Sequence, residues 1–209
     1  MTRKTMERQT RQQYIIDAAR RLLAEKGIED TSMEDIAAAV EYTRRTLYAY
    51  FKSRDEIYLM ILVEDLKSRW AEQKKALTAA SRGLDKIRIW GESLYDYSRE
   101  HPHSMPMQIY WDFKGIDRDR VSPEVFAAFE TINEELAAGL REIFTLGIND
   151  GSLRPDLQID MAIGQFVYSL RSIINRALTP TYSFTRIEPD KYVEHYLGLF
   201  LRGIQNKKE

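Results

Sequence analysis

Apolar residues recur at helical spacing through almost the whole chain, and alternating strand-like stretches are absent. Ile15, Ala18, Ala19, Leu22 and Leu23 lie on one stripe of a helix predicted from about Thr10 to Lys26, and Gly27 suits its C-terminal stop. Met33, Ile36, Ala37 and Val40 follow the i, i+3, i+4, i+7 pattern of a short buried helix. Two hydroxyls precede it: Thr31–Glu34 has the spacing of a capping box, and Ser32–Asp35 is the Asp variant of the same device. A second short helix starts at Thr43, with Leu47 turned inward. Ser53 caps a long helix from Arg54 or Asp55 to about Ala79, through Ile57, Met60, Ile61 and Leu66. Its acids Asp55 and Glu56 suit the helix dipole.

Further along, Ile87, Trp90, Leu94 and Tyr97 predict a helix over 84–100, broken by His101-Pro102-His103. A short helical stretch follows over 105–116. Ser122-Pro123-Glu124 is a cap, an N1 proline and an acid, opening a helix that runs to about Asn149. Two more helices are predicted over 159–178 and 189–204, with a loop over 179–186 between them. The expected fold is all-α with about nine helices.

Composition narrows the class. With 44% hydrophobic residues the chain of 209 can bury a real core. Cysteine is absent, so neither disulfides nor thiolate metal sites are available, which fits a cytoplasmic location. The first thirteen residues are polar and basic, without the apolar stretch of a signal peptide, and no apolar run is long enough to span a membrane. Net charge is −1, but residues 1–54 hold 11 Lys/Arg against 8 Asp/Glu, a net of +3, and the rest carries −4. A basic head on an acidic body is the asymmetry expected when one end meets phosphate. The charge divides the chain into a head over 1–54 and a body over 55–209. Residues 1–9, with Arg3, Lys4 and Arg8, read either as a disordered tail or as an arm that adds contacts to DNA.

Two short helices, a tight turn, and cations with polar groups at the start of the second describe a helix-turn-helix DNA reader. The details resemble the DNA-binding domain of the tetracycline-repressor (TetR) family of bacterial regulators. The matching residues are Ile36-Ala37, T-x-x-T-L-Y at Thr43–Tyr48, Tyr50-Phe51-Lys52 and S-R-D-E-I at Ser53–Ile57. The A-E-K-G before residue 28 and the stretch Gly147–Asp156 are also similar to the family. Two positions depart from it: Glu41 stands where the turn usually has Gly, and Arg45 where a small residue is common. A left-handed turn at Glu41 would be costly for a residue with a Cβ. The DNA-facing candidates are Thr31, Ser32, Thr43, Arg44, Arg45, Thr46, Tyr48, Tyr50 and Lys52. Arg44 and Arg45 are the base-edge candidates, since an arginine fork suits guanine O6 and N7. By the resemblance, Tyr48, Tyr50 and Lys52 are phosphate contacts that fix register.

The resemblance also implies a DNA-binding domain over 1–54 and a ligand-binding and dimerisation domain over 55–209, in a repressor released from a palindromic operator by a small-molecule effector, with no enzymatic activity. Candidate effector contacts are Trp90, Tyr97, His101, Tyr110, Trp111, Phe129, Phe166 and Arg171; aromatic walls suit a flat or lipophilic molecule, and Arg171 an anion. The last helix has apolar residues on two adjacent faces, wider than one core requires. That width predicts a homodimer interface including Gly164, Val193, Leu197, Phe200 and Ile204. No metal or cofactor is expected, because His101 and His103 lack further ligands at a suitable spacing. The alternatives are a helical enzyme using one of those histidines as a base, or a helical interaction module without DNA binding. No nucleophile, phosphate loop or paired acids support the former.

Overall fold

The computed structural model describes residues 3–179 and 188–206, so the loop expected over 179–186 lies almost entirely outside the described residues. Among the described residues there are nine α-helices and no strand. They are α1 (Arg3–Lys26), α2 (Met33–Ala39), α3 (Arg44–Tyr48), α4 (Arg54–Ala76), α5 (Gly83–Glu100), α6 (Ser104–Lys114), α7 (Pro123–Asn149), α8 (Ile159–Leu178) and α9 (Pro189–Ile204). Short 3-10 turns cover Leu77–Ala79 and Arg118–Arg120. The Ser-Pro-Glu start of α7 and the limits of α8 and α9 agree with the expectation from sequence. The start of α1 does not. Residues 3–9 are helical, extended by an Arg3–Glu7 pair at 2.9 Å, so they continue α1 and do not form a disordered tail.

The helices form two compact units. The first comprises Met1–Leu66 and Pro106–Thr131, the second Lys67–Met105 and Ile132–Glu209. The first unit is therefore larger than the 1–54 head, because it includes the start of α4 and residues 106–131. Its core holds apolar residues read from the sequence, Ile15, Ala19 and Leu23 of α1, Ile36 and Ala37 of α2, Leu47 of α3, and Ile57 and Ile61 of α4, and adds Tyr58, all buried. Arg20 of α1 pairs with Glu64 at 2.7 Å and with the buried Asp65 of α4. A buried carboxylate without such a partner would be strongly destabilising.

In the second unit, α5, α8 and α9 supply the buried stripes Ile87, Trp90 and Leu94; Phe166, Leu170 and Ile174; and Val193, Leu197 and Leu201. Close backbone approach is required where α5 begins. A Cβ on Gly83 would lie 2.3 Å from the Cα of Gly147 in α7, so only glycine fits there. The amide of Gly83 donates to Asp150 at 2.7 Å, and that of Leu84 to Ser152 at 3.1 Å, satisfying two first-turn donors of α5.

Candidate nucleic-acid interface

Entry into α2 is fixed by Ser32. The amide of Asp35 donates to Ser32 Oγ at 3.1 Å, and the Ser32 amide donates to Asp35 Oδ2 at 2.9 Å, closing the capping box. Lys26 Nζ reaches Asp35 Oδ1 at 2.7 Å. The Lys26 ammonium, and then the Ser32 hydroxyl and amide, hold the Asp35 carboxyl well below the usual carboxylate range. Thr31, the other cap candidate, is completely buried. Its hydroxyl donates to Gly27 O at 2.8 Å, and its carbonyl accepts from Tyr58 Oη at 2.8 Å and Arg54 Nη1 at 2.9 Å. Burial pushes the Tyr58 hydroxyl up to about 12. Thr31 is thus neither the cap nor a DNA contact through its side chain, which corrects the expectation for that residue.

The turn between α2 and α3 places Glu41 at φ +56°, the left-handed region that favours glycine. Thr43 then caps α3, accepting from the amide of Thr46 at 3.1 Å. Leu47 is fully buried and pins α3 to the core. The opposite edge, with Thr43, Arg44, Arg45 and Tyr48, is exposed, and Thr46 and Tyr50 are half-buried. Arg44 is not loose: Nη1 lies 2.5 Å from Glu34 Oε1 of α2, and Nη2 faces Tyr48 Oη at 3.4 Å. Arg45 is exposed and, among the described residues, held by no partner.

Around this edge the structure gathers Arg8, which sequence reasoning placed only in the possible arm, and Arg11, which it did not assign. Arg8 Nη2 donates to Ala49 O at 3.0 Å, its guanidinium lies 5.3 Å from the centre of the Tyr50 ring, and Arg11 Nη1 reaches Tyr50 Oη at 3.4 Å. The spacing of Arg8 and Arg11, one helical turn apart, was the available signal. On the other side, residues 114–122 clamp the start of α4. Ser53 Oγ donates to Arg120 O at 2.6 Å, Glu56 Oε1 accepts from the Ser122 amide at 2.9 Å, and Lys114 Nζ sits 3.0 Å from Asp55. Lys52, expected at phosphate, is exposed but also donates through Nζ to Val121 O at 3.2 Å.

The expected effector residues fall into both units. Tyr110, Trp111 and Phe129 belong to the first, where the rings of Tyr110 and Trp111 meet edge-on at 5.2 Å. Trp90, Tyr97, His101, Phe166 and Arg171 belong to the second, where Trp90 lies 5.5 Å from Phe166 and Tyr97 lies 4.1 Å from His101. Sequence reasoning missed Gln73. It is buried and donates through Nε2 to Trp90 O at 3.1 Å, while its Oε1 and Trp90 Nε1 have no hydrogen-bond partner among the described residues.

The expected dimer residues require a correction. Val193, Leu197 and Ile204 are buried within their own unit, and a Cβ on Gly91 of α5 would lie 2.6 Å from the Leu197 side chain. They are core, not interface. Phe200 is half-buried and stacks on Phe166 at 4.8 Å. Gly164 is half-buried, with open space where a Cβ would stand. The apolar residues of α8 and α9 left exposed are instead Met161, Tyr168 and Leu199, at 62%, 64% and 53%. Met161 and Leu199 border an open groove of about 720 Å³ that also includes Tyr196, Phe200 and Gly203. Among the described residues no group of three metal-ligating side chains occurs, and no helix is long and apolar enough to cross a membrane.

Comparison with known proteins agrees with this geometry. Residues 15–61, which span α1 to the start of α4, match the family model described as bacterial regulatory proteins, tetR family. The HTH-type transcriptional repressor KstR2 of Rhodococcus jostii is 28% identical over 200 residues, covering 93% of this chain and 91% of the relative. Among solved structures, the TetR family transcriptional regulator PfmR from Thermus thermophilus superposes with a TM-score of 0.67 at 26% identity, covering 92% of this chain and 96% of the other. The transcriptional regulator FadR from Bacillus subtilis, solved in complex with stearoyl-CoA, superposes with a TM-score of 0.68 at 17% identity, covering 91% of this chain and 98% of the other. Helix-turn-helix geometry, the family match and the full-length likeness coincide: residues 15–61 match the tetR family of bacterial regulatory proteins, and the whole chain is similar to transcriptional regulators.

Proposed function

We propose that the protein is a cytoplasmic, dimeric transcriptional repressor that holds a near-palindromic operator and releases it when a small molecule binds the second unit. The observation that carries the DNA-binding part is the exposed edge of α3. Its buried Leu47 fixes the helix, while Thr43, Arg44, Arg45 and Tyr48 face outward from a capped start. Arg44 and Arg45 read base edges; Tyr48, Tyr50 and Lys52 hold phosphates and set register. Two copies related by a two-fold axis address two half-sites, which gives the operator its near-palindromic form. Repression, rather than activation, is supported by the name of the KstR2 relative.

For the effector, the second unit offers the aromatic pair Trp90 and Phe166, the buried unpartnered Gln73 Oε1 and Trp90 Nε1, and Arg171 as a counter-charge. An apolar body with an anionic end suits that set, and the stearoyl-CoA bound by the structurally similar FadR has that character. Release follows from linkage: the effector must bind one conformation better, and DNA the other. The test is a gel shift with DNA upstream of the protein's own gene against a nonspecific duplex, followed by titration with long-chain acyl-CoA. Operator-specific binding relieved by the thioester is expected. Equal affinity for both duplexes would sink the DNA reading, and an unmoved complex would sink the effector class.

A further inference from the structure

The exposed ion pair that joins α2 to α3 across the turn is an arrangement that neither stability nor folding accounts for. Glu34 stands in the first turn of α2, and Arg44 opens α3 on the other side of the turn. Their side chains are 58% and 59% exposed, and Arg44 Nη1 meets Glu34 Oε1 at 2.5 Å. A pair that open to water adds little to folding. What it changes is the arginine. An unattached arginine samples many rotamers and loses that freedom when it binds. Here the guanidinium is fixed from two sides, by the Glu34 carboxylate and by Tyr48, whose hydroxyl lies 3.4 Å from Nη2 and whose ring centre lies 5.5 Å from Cζ. Tyr48 and Glu34 also raise the affinity of Arg44 for its proton. The remaining N–H groups stay available for a planar acceptor.

We propose that Glu34 is a specificity-determining positioning residue, which orients the Arg44 fork for a guanine edge and neutralises it toward phosphate. The inference rests on the reading of Arg44 as a base contact. A free arginine near DNA binds any phosphate, and so strengthens binding to every sequence equally. An arginine already paired with a carboxylate brings no net charge to the backbone. It gains only where a base supplies two acceptors in the plane of the fork. Glu34 thereby converts a cation that would favour all DNA into a contact that favours one base. Arg45, one residue along and unheld, lacks this device, so its base contact should come with an added attraction to phosphate on any sequence.

Fluorescence anisotropy on operator and nonspecific duplexes, across a salt series, tests this with Glu34→Gln, Arg44→Ala and the double variant. Glu34→Gln should bind nonspecific DNA more tightly, with the slope of log K against log salt steeper by about 0.9 per subunit, the contribution of one additional phosphate contact. Its operator preference should fall by about tenfold, within the range one bidentate base contact confers. In the Arg44→Ala background Glu34→Gln should leave the slope unchanged. If Glu34→Gln alters neither slope nor preference, the proposal is overturned. If the slope change persists without Arg44, Glu34 merely repels phosphate and the proposal is equally overturned. If Arg44→Ala retains full operator preference, the base-contact reading fails, even where the Glu34→Gln slope change shows the two side chains to be coupled.

Discussion

Thr31 and Ser32 are adjacent hydroxyl residues with different tasks. Each has an acid three positions on, so spacing alone left both capping boxes open. The choice is made by Tyr58, 27 residues downstream, whose hydroxyl binds the Thr31 carbonyl and helps bury that residue. Ser32→Ala should cost about 1 kcal/mol of stability in urea unfolding, the typical worth of an N-cap. Thr31→Val keeps the shape but orphans Gly27 O, at a cost of about 1–2 kcal/mol, and should leave DNA affinity and its salt slope unchanged where the protein is folded. Weaker DNA binding at undiminished stability would return Thr31 to the DNA-facing set. Asp35 supplies a pH dependence. Its folded pKa is depressed by Lys26 and Ser32, so its contribution is complete above the unfolded carboxylate value and lost as pH falls below about 4. Urea midpoints measured downward from neutral pH should decline through that range, and less steeply in Asp35→Asn.

At the scale of elements, periodicity and end signals sufficed wherever they were local. The cap, proline and acid before α7 set its start, and Ser53 caps α4 by accepting the Glu56 amide at 3.1 Å. What local signals could not show is partnership between distant segments. Asp55 and Glu56 read as favourable dipole charges, yet both are buried and bound to residues 114–122. Likewise the start of α1 depends on Arg8 reaching the end of α3, which no pattern within residues 1–9 contains. The departure at Glu41 was visible, and its consequence is measurable. A residue with a Cβ in the left-handed region costs about 1–2 kcal/mol. Glycine relieves that cost but enlarges the freedom of the unfolded chain. Glu41→Gly should therefore stabilise the protein by about 0.5–1 kcal/mol, seen as a higher urea midpoint with an unchanged slope. A lower midpoint would mean that the Glu41 side chain itself supports the turn.

For the molecule as a whole, the apolar width of the last helix announced an interface, but its two faces were assigned in the wrong sense. Val193, Leu197 and Ile204 recur near the helical period and look like a seam; in the structure they are the seam with α9's own unit. A single chain cannot reveal which of two adjacent apolar faces its own core will claim. The face left over carries Leu199, with Met161 and Tyr168 exposed on α8. Exposed apolar groups this large mark a surface for association. A charge there should separate subunits without unfolding them, whereas a charge in the core should unfold the chain. Leu199→Glu, combined with Tyr168→Glu, is expected to sediment as a monomer at micromolar concentration, with native helical content and an unchanged thermal midpoint for the residual fold. Leu197→Glu instead buries an unpaired carboxylate beside Gly91 and should lower the midpoint sharply or prevent folding. The monomeric variant retains one intact reader, so its nonspecific binding should survive. Its operator affinity should collapse, because the second half-site no longer benefits from the high effective concentration set by the first. A dimer that persists with both glutamates in place would move the interface off this face of α8 and α9.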